Sequence, residues 1–324
     1  MSKVPTYPNK YHTYHLLKAR YKEQTRKAYR TAVNKFVRWC LAERRTAQNM
    51  SQLDRAMLDY FEWMYRNKGS RQLAINTHAG VIFYQRDVKG HLPFATEALR
   101  GWQAAKPSVQ HPPFTWPVAC VVAVWMTGRG WLREAIGVLL AFDCLLRVSE
   151  LCALRASDII DATTAAVDRS WKYALAVRLR QTKTGENQSV PIMNPDVVKL
   201  VRMLLRFAPR GARLFPLTTA KFRNRLRTAC NVLGLDRSLV PHSLRHGGAT
   251  HLYMSGVEVS TVKVRGRWVS LQTCERYVQA GQALIGSTNI PAAVADSGRL
   301  FAESCYEAIR EALKQTHSRV GRKG

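Results

Sequence analysis

The chain predicts a mainly α fold with a small antiparallel β-sheet, divided into two domains. Three observations predict it. Apolar residues recur at helical spacing through most of the chain. One stretch, residues 173–193, switches to the alternation of a strand pair. Residues 106–117, KPSVQHPPFTWP, are proline-rich and aperiodic and read as a linker. A length of 324 residues with 46% hydrophobic side chains is enough for two cores.

The elements follow in order. Residues 21–45 predict a helix with Tyr29, Val33, Phe36 and Cys40 on one face. Residues 52–67 predict a second, with Leu53, Met57, Tyr60, Phe61 and Met64 in register, and residues 71–87 a third. Residues 93–105 predict a short fourth, opened by Pro93, whose missing N–H costs nothing in a first turn. The division is 1–107 as a helical domain, 108–117 as linker and 118–324 as a second domain. Within the second domain, residues 131–146 predict a strongly apolar helix ending near Arg147, and another starts near Ser149. YALAVRLR (173–180) and QSVPIM (188–193) flank TKTGEN, whose Gly185 and Asn187 suit a turn, so a β-hairpin forms with Lys183 close to its tip. Everything after residue 195 reads mainly helical. Residues 296–315 form an amphipathic helix with Leu300, Phe301, Cys305, Ile309 and Leu313 apolar.

Fifty Lys and Arg against 22 Asp and Glu give a net charge of +28. Such a charge speaks of partners rather than fold, and nucleic acid is the partner expected, because neutralising phosphates releases counterions; a ribosomal-type or merely basic protein is the alternative reading. Residues 1–50 hold 12 basic and two acidic residues; residues 201–230 hold eight basic residues and no acid. In the second cluster Arg202, Arg206, Arg210, Arg213, Lys221, Arg223, Arg225 and Arg227 interleave with Leu204, Leu205, Phe207, Phe222 and Leu226, the pattern of an amphipathic helix with one cationic face. The seven cysteines are scattered, odd in number and without C-x-x-C, which predicts reduced thiols in an intracellular protein. His242 and His246 share a helix face but have no third ligand in sight, so no metal is expected. The opening MSKVPTYPNKYH is polar and basic, unlike a signal peptide, and the apolar runs fall short of the roughly 18 residues of a membrane helix.

Four separated stretches each offer one piece of a phosphodiester-cutting site: Arg147 in LLRVSELCAL, Lys183 in RQTKTGENQSVPI, His242 and Arg245 in PHSLRHGGATH, and Trp268 and Tyr277 in GRWVSLQTCERY. Two guanidinium forks suit a phosphate, because each binds two oxygens at once. His242 and Arg245, three apart on a helix opened by Pro241, face the same way. Glu150, three residues after Arg147, would orient its guanidinium. Each piece alone has an ordinary reading: Arg147 as a helix-end cation, Lys183 as a solvated turn residue, and Tyr277 as one of 12 tyrosines filling core or surface. Order and spacing carry the case.

In that order and spacing the chain resembles the tyrosine recombinase (phage integrase-like) superfamily. The family pattern is Arg in an L-R-x-x-E-L setting, Lys on a β-hairpin, H-x-x-R, then His or Trp, then Tyr nine residues on. LLRVSEL, QTKTG, PHSLRH, GRW and Tyr277 supply these pieces. The resemblance covers about residues 130–280 and implies an α+β catalytic domain; the preceding helices resemble the family's core-binding domain in size and helix content. One departure is that Trp268 stands where many members have His, which removes a second proton carrier and leaves an indole N–H. HSLRHGGAT and GRW further resemble recombinases of eukaryotic mobile elements, DIRS-like and Crypton-like.

The resemblance implies a site-specific DNA recombinase that acts without metal or cofactor, through a 3′-phosphotyrosyl bond that keeps the energy of the broken linkage. Tyr277 is the nucleophile, Arg147 and Arg245 the phosphate clamp, His242 the acceptor of the tyrosine proton and Lys183 the donor to the leaving 5′-oxygen. Trp268 packs beneath the phosphate, and Glu150 orients Arg147 or His242. Double-stranded DNA is the partner implied; Lys221, Arg223, Arg225, Arg227, Arg265 and Arg267 are expected on it, and a C-shaped clamp of both domains would surround it. Two other functions share the pattern: a type IB topoisomerase or telomere resolvase, and a DNA-binding relic without catalysis. The C-terminal helix either folds back on its own domain or, as often in the family, packs on a neighbouring protomer; the assembly expected is a monomer in solution and a homo-tetramer on paired DNA sites. The compartment is the nucleus in a eukaryotic host, and the cytoplasm or nucleoid in a bacterial one.

Overall fold

The computed structural model describes residues 16, 19–107, 111–162, 174–181, 185–206, 208–209 and 211–320. Lys183, Phe207, Arg210, most of residues 1–18 and the end of the tail lie outside the described residues. The chain divides into two units, Met1–Val109 and Gln110–Gly324, with the boundary inside the proline-rich stretch. Among the described residues no helix is long and apolar enough to cross a membrane.

Among the described residues, the first unit is built on the helices α1 (Glu23–Ala42), α2 (Met50–Arg66), α3 (Arg71–Tyr84) and α4 (Pro93–Ala105). They enclose a core that includes Phe36, Met57, Tyr60, Phe61, Met64, Ala74 and Trp102. Asn49 and Ser70 cap α2 and α3 by accepting from Gln52 N and Leu73 N. The start of α4 has no local side-chain cap. Buried Asp54 on α2 accepts instead from Phe94 N at 3.0 Å and Ala95 N at 2.8 Å, so a carboxylate meets the positive end of α4. The third helix is shorter than expected: it stops at Tyr84, and Arg86–Val88 form a separate 3-10 turn.

The second unit opens with α5 (Trp116–Gly128) and α6 (Leu132–Asp143), packed along each other, and the short α7 (Val148–Ala153). A three-stranded antiparallel sheet follows, in the order β1 (Ile159–Asp161), β2 (Leu175–Gln181) and β3 (Glu186–Pro191). Then come α8 (Pro195–Arg206), α9 (Thr219–Val232), α10 (Pro241–Met254), α11 (Val259–Gly266), α12 (Leu271–Glu275), α13 (Ala280–Thr288), α14 (Ala292–Glu303) and α15 (Cys305–Val320). The hairpin pairs Val177 with Val190 and Leu179 with Gln188. Leu175, Val177 and Leu179 turn into the core, while Arg178 and Arg180 on the opposite face reach buried Asp158 at 3.6 and 2.6 Å. All seven cysteines are free thiols, six of them buried.

Two expectations are corrected. The basic run 201–230 is not one cationic face. Arg202 forks onto Asp161 with two 3.1 Å hydrogen bonds. Arg225 pairs with buried Glu134 and lies 4.8 Å above the Trp131 ring. Lys221, Arg223 and Arg227 do face solvent. The C-terminal segment is two helices rather than one, and both pack on their own unit: α14 on α5, and α15 on α5 and α8. Cys305 and Ile309 are fully buried, Trp116 Nε1 donates to Ala302 O at 3.2 Å, and Tyr306 N donates to Asp196 Oδ2 at 3.0 Å. Within this chain the two helices thus form part of the core of their own unit, so deleting residues 296–324 is expected to open that core.

Candidate active site

Two helix ends and one helix start converge here. At the end of α6, Leu145 takes a left-handed conformation (φ 50) and Leu146 N returns to Ala141 O at 3.0 Å. This reversal is the Schellman ending that glycine usually provides. It delivers Arg147 to the start of α7, where Glu150 accepts from the Arg147 backbone N at 2.9 Å and from its Nη1 at 2.5 Å. The end of α11 repeats the device: Arg267 is left-handed (φ 58) and Trp268 N returns to Lys263 O at 3.1 Å.

The helix α10 carries His242, Arg245 and His246 and lies against the end of α6. Its small residues permit that approach: a Cβ on Gly247 would sit 2.1 Å from Phe114 O, and one on Gly248 2.1 Å from Phe142 O. Arg245 is fully buried, and its guanidinium donates to the carbonyls of Leu145 and Gly266. It lies 4.5 Å from the Trp268 ring and 5.5 Å from the Tyr277 ring. Two of its five N–H groups are thereby used.

Tyr277 follows α12, its N donating to Cys274 O at 2.8 Å. Thr250 of α10 pins this segment: its Oγ1 donates to Tyr277 O at 3.2 Å and accepts from Gln279 N at 3.0 Å. The Tyr277 hydroxyl lies 3.1 Å from His242 Nε2. The His246 ring stacks on the Tyr277 ring at 4.4 Å, and Trp268 lies 4.6 Å away on a tilt. Burial, followed by the nearby Arg245, His111 and Arg147, pushes His242 down to about 4. Burial and then His242 do the same to His246. A neutral His242 with its proton on Nδ1 accepts from the Tyr277 hydroxyl through Nε2. Burial, then Arg147 and Arg267, lower Arg245 from its ordinary value.

Of the residues named from the sequence, Arg147, Glu150, His242, Arg245, Trp268 and Tyr277 are brought together. Lys183 lies outside the described residues, but strand β3 of its hairpin and Trp268 wall the same open cleft of about 490 Å³. Arg265 and Arg267 are internal, which corrects their expected place on DNA. Arg265 donates to Asp143 O at 2.7 Å and pairs with its carboxylate at 3.5 Å. Arg267 donates to Glu150 Oε2 at 3.0 Å and Leu145 O at 2.9 Å. Sequence reasoning missed the stacking of His246 on Tyr277, although its spacing of four from His242 already put both rings on one face. It also missed Thr250, for which nothing in the sequence gives a sign.

Residues 127–283 match the sequence model of the phage integrase family. Tyrosine recombinase XerC of Rhodospirillum centenum is 31% identical over 156 residues, 45% of this chain and 42% of that protein. Tyrosine recombinase XerA of Pyrococcus furiosus is 29% identical over 155 residues, 46% of this chain and 50% of that protein. The chain thus spans about half the length of the curated relatives it matches. Among solved structures, the Tn1549 transposon integrase in complex with circular intermediate DNA aligns with a TM-score of 0.55 at 14% identity, over 78% of this chain and 94% of that one. A lambda integrase tetramer bound to a Holliday junction aligns with 0.53 at 16%, over 81% and 73%. At these identities the likeness is one of fold.

Proposed function

This chain belongs to the tyrosine recombinase superfamily through residues 127–283, and on that premise we propose that it is a site-specific DNA recombinase, cutting and rejoining DNA through a 3′-phosphotyrosyl intermediate. The observation that carries the reading is the 3.1 Å contact between the Tyr277 hydroxyl and His242 Nε2, with the Arg245 guanidinium against the tyrosine ring. A tyrosine hydroxyl must lose its proton as it attacks. His242, held neutral, is placed to accept it. The oxygen of Tyr277 bonds to phosphorus, the bond to the 5′-oxygen breaks, and that oxygen takes a proton from Lys183, the role the family pattern gives it. Rejoining reverses these steps, so no nucleotide cofactor is called for.

Arg147 and Arg245 hold the non-bridging oxygens, on which charge grows in the transition state. Losing one such contact costs about 2.7–4 kcal/mol by analogy with oxyanion-hole donors. The Trp268 and Tyr277 rings lie against Arg245, and the Trp268 indole N–H, buried without a partner among the described residues, is the donor offered to a phosphate oxygen. Lys221, Arg223 and Arg227 on the exposed side of α9 take backbone phosphates. The acting assembly is a tetramer on paired DNA sites, and the GRW wording supports a role in moving a mobile element.

A two-site assay tests the reading. DNA bound by the full chain is selected from a random pool, and a duplex of that sequence, nicked so that the released fragment diffuses away, is offered with a second intact site. Trapped adducts and joint molecules are expected. Adducts and relaxed supercoils without joining would assign a topoisomerase instead, and binding without adducts a relic.

A further inference from the structure

Arg267 lines the cleft beside Trp268, but its guanidinium turns inward and is tied to both arginines of the proposed phosphate clamp. Its side chain is 4% exposed. Nη2 donates to Glu150 Oε2 at 3.0 Å and to Leu145 O at 2.9 Å, and Nη1 donates to Arg265 O at 3.1 Å. Glu150 is also the acceptor that orients Arg147, and Leu145 O is also an acceptor of Arg245. One side chain therefore shares an acceptor with each half of the clamp. Its backbone is left-handed (φ 58), a conformation that glycine takes freely and arginine takes under strain. An arginine held there in spite of the strain points to a task for the guanidinium.

Charge supplies the task. A buried carboxylate paired with Arg147 alone would cancel that arginine's charge before any phosphate arrives. With Arg267 as the second cation on Glu150, three guanidinium groups (Arg147, Arg245, Arg267) face one carboxylate, and the set stays positive. We propose that Arg267 is a positioning residue. It neutralises Glu150 and fixes the Leu145 carbonyl, so that Arg147 and Arg245 keep both charge and aim for the scissile phosphate. The inference rests on the proposed strand-cutting activity.

A double-mutant cycle tests it, with the nicked duplex selected from a random pool as probe. Arg267→Gly relieves the backbone and removes the guanidinium. At saturating DNA its rate of adduct formation is expected to drop about tenfold or more, the size typical of lost outer support around a site. Half-saturation is expected within about twofold of the parent, because the Arg267 guanidinium is committed to Glu150 and to backbone carbonyls. In a Glu150→Gln background the same substitution is expected to cost little further, since no carboxylate remains to neutralise. If Arg267→Gly does not fold, the cycle is read with Arg267→Lys, which keeps the charge but not the fork, and a smaller loss that again vanishes with Glu150→Gln is expected. An unchanged rate, a loss confined to DNA affinity, or full additivity with Glu150→Gln overturns the inference while the parent still cuts. A parent that forms no adduct overturns the proposed function, and this inference with it.

Discussion

At neutral pH the His242 imidazole is uncharged, because burial and then Arg245, His111 and Arg147 push it down to about 4. His246, stacked on the same tyrosine ring, is lowered as far. An unfolded chain takes up these protons near the ordinary value of 6.5, while the folded site resists until about 4. Between those values the unfolded form binds more protons, so the stability these histidines contribute is complete above about pH 6.5 and falls as pH falls toward 4. Titration of the imidazole resonances in the DNA-free protein is expected to show both rings neutral at pH 6, with His242→Asn flattening the acid loss of stability. A midpoint near 6.5 for His242 would mean that its ring is open to water and that the tyrosine hydroxyl has no buried acceptor.

The helices position these side chains through close backbone approaches. A Cβ on Gly248 would lie 2.1 Å from Phe142 O and 2.5 Å from Leu145 Cδ2, at the very turn whose carbonyl holds Arg245. Gly248→Ala is therefore expected to cost about 1–3 kcal/mol in urea unfolding, the range for overpacking, and to slow cleavage by moving α10 off α6. Gly281→Ala on α13, where a Cβ meets nothing within 4 Å, is expected to be neutral or to stabilise by about 0.4–1 kcal/mol. Equal effects at the two positions would remove the packing argument. Helices with one apolar face were legible in the sequence, as with Met57, Tyr60, Phe61 and Met64 on α2. The helix α5 was not, because Val118 through Ala123 are buried all round and show no face to detect. Strand β1, three residues long, is too short to alternate. At the site, spacing named His242, Arg245 and Trp268 around Tyr277, but not the stacking of His246, the tether of Thr250 or the burial of Arg267. An arginine in a basic loop reads as a DNA contact until Glu150, 117 positions earlier, is seen beside it.

On the scale of the molecule, a net charge of +28 implies binding dominated by phosphate neutralisation. Affinity for duplex DNA is expected to fall on the order of 10³ between 50 and 200 mM salt if about six phosphates are neutralised. Replacing Arg223 or Arg227 by alanine should lower the salt slope by about one unit each. Arg225→Ala should leave the slope alone and lower stability, because Arg225 is committed to Glu134 and Trp131. A flat salt response, or a slope change at Arg225, would contradict this division of the basic residues. Tyr277 is the proposed covalent link between this chain and DNA. Peptide mapping of the trapped adduct measures it most directly. The expected result is a nucleotide-bearing phosphate on the peptide containing Tyr277, absent from Tyr277→Phe while that variant still binds the same duplex. An adduct that persists in Tyr277→Phe, on Tyr253 or any other residue, would contradict it.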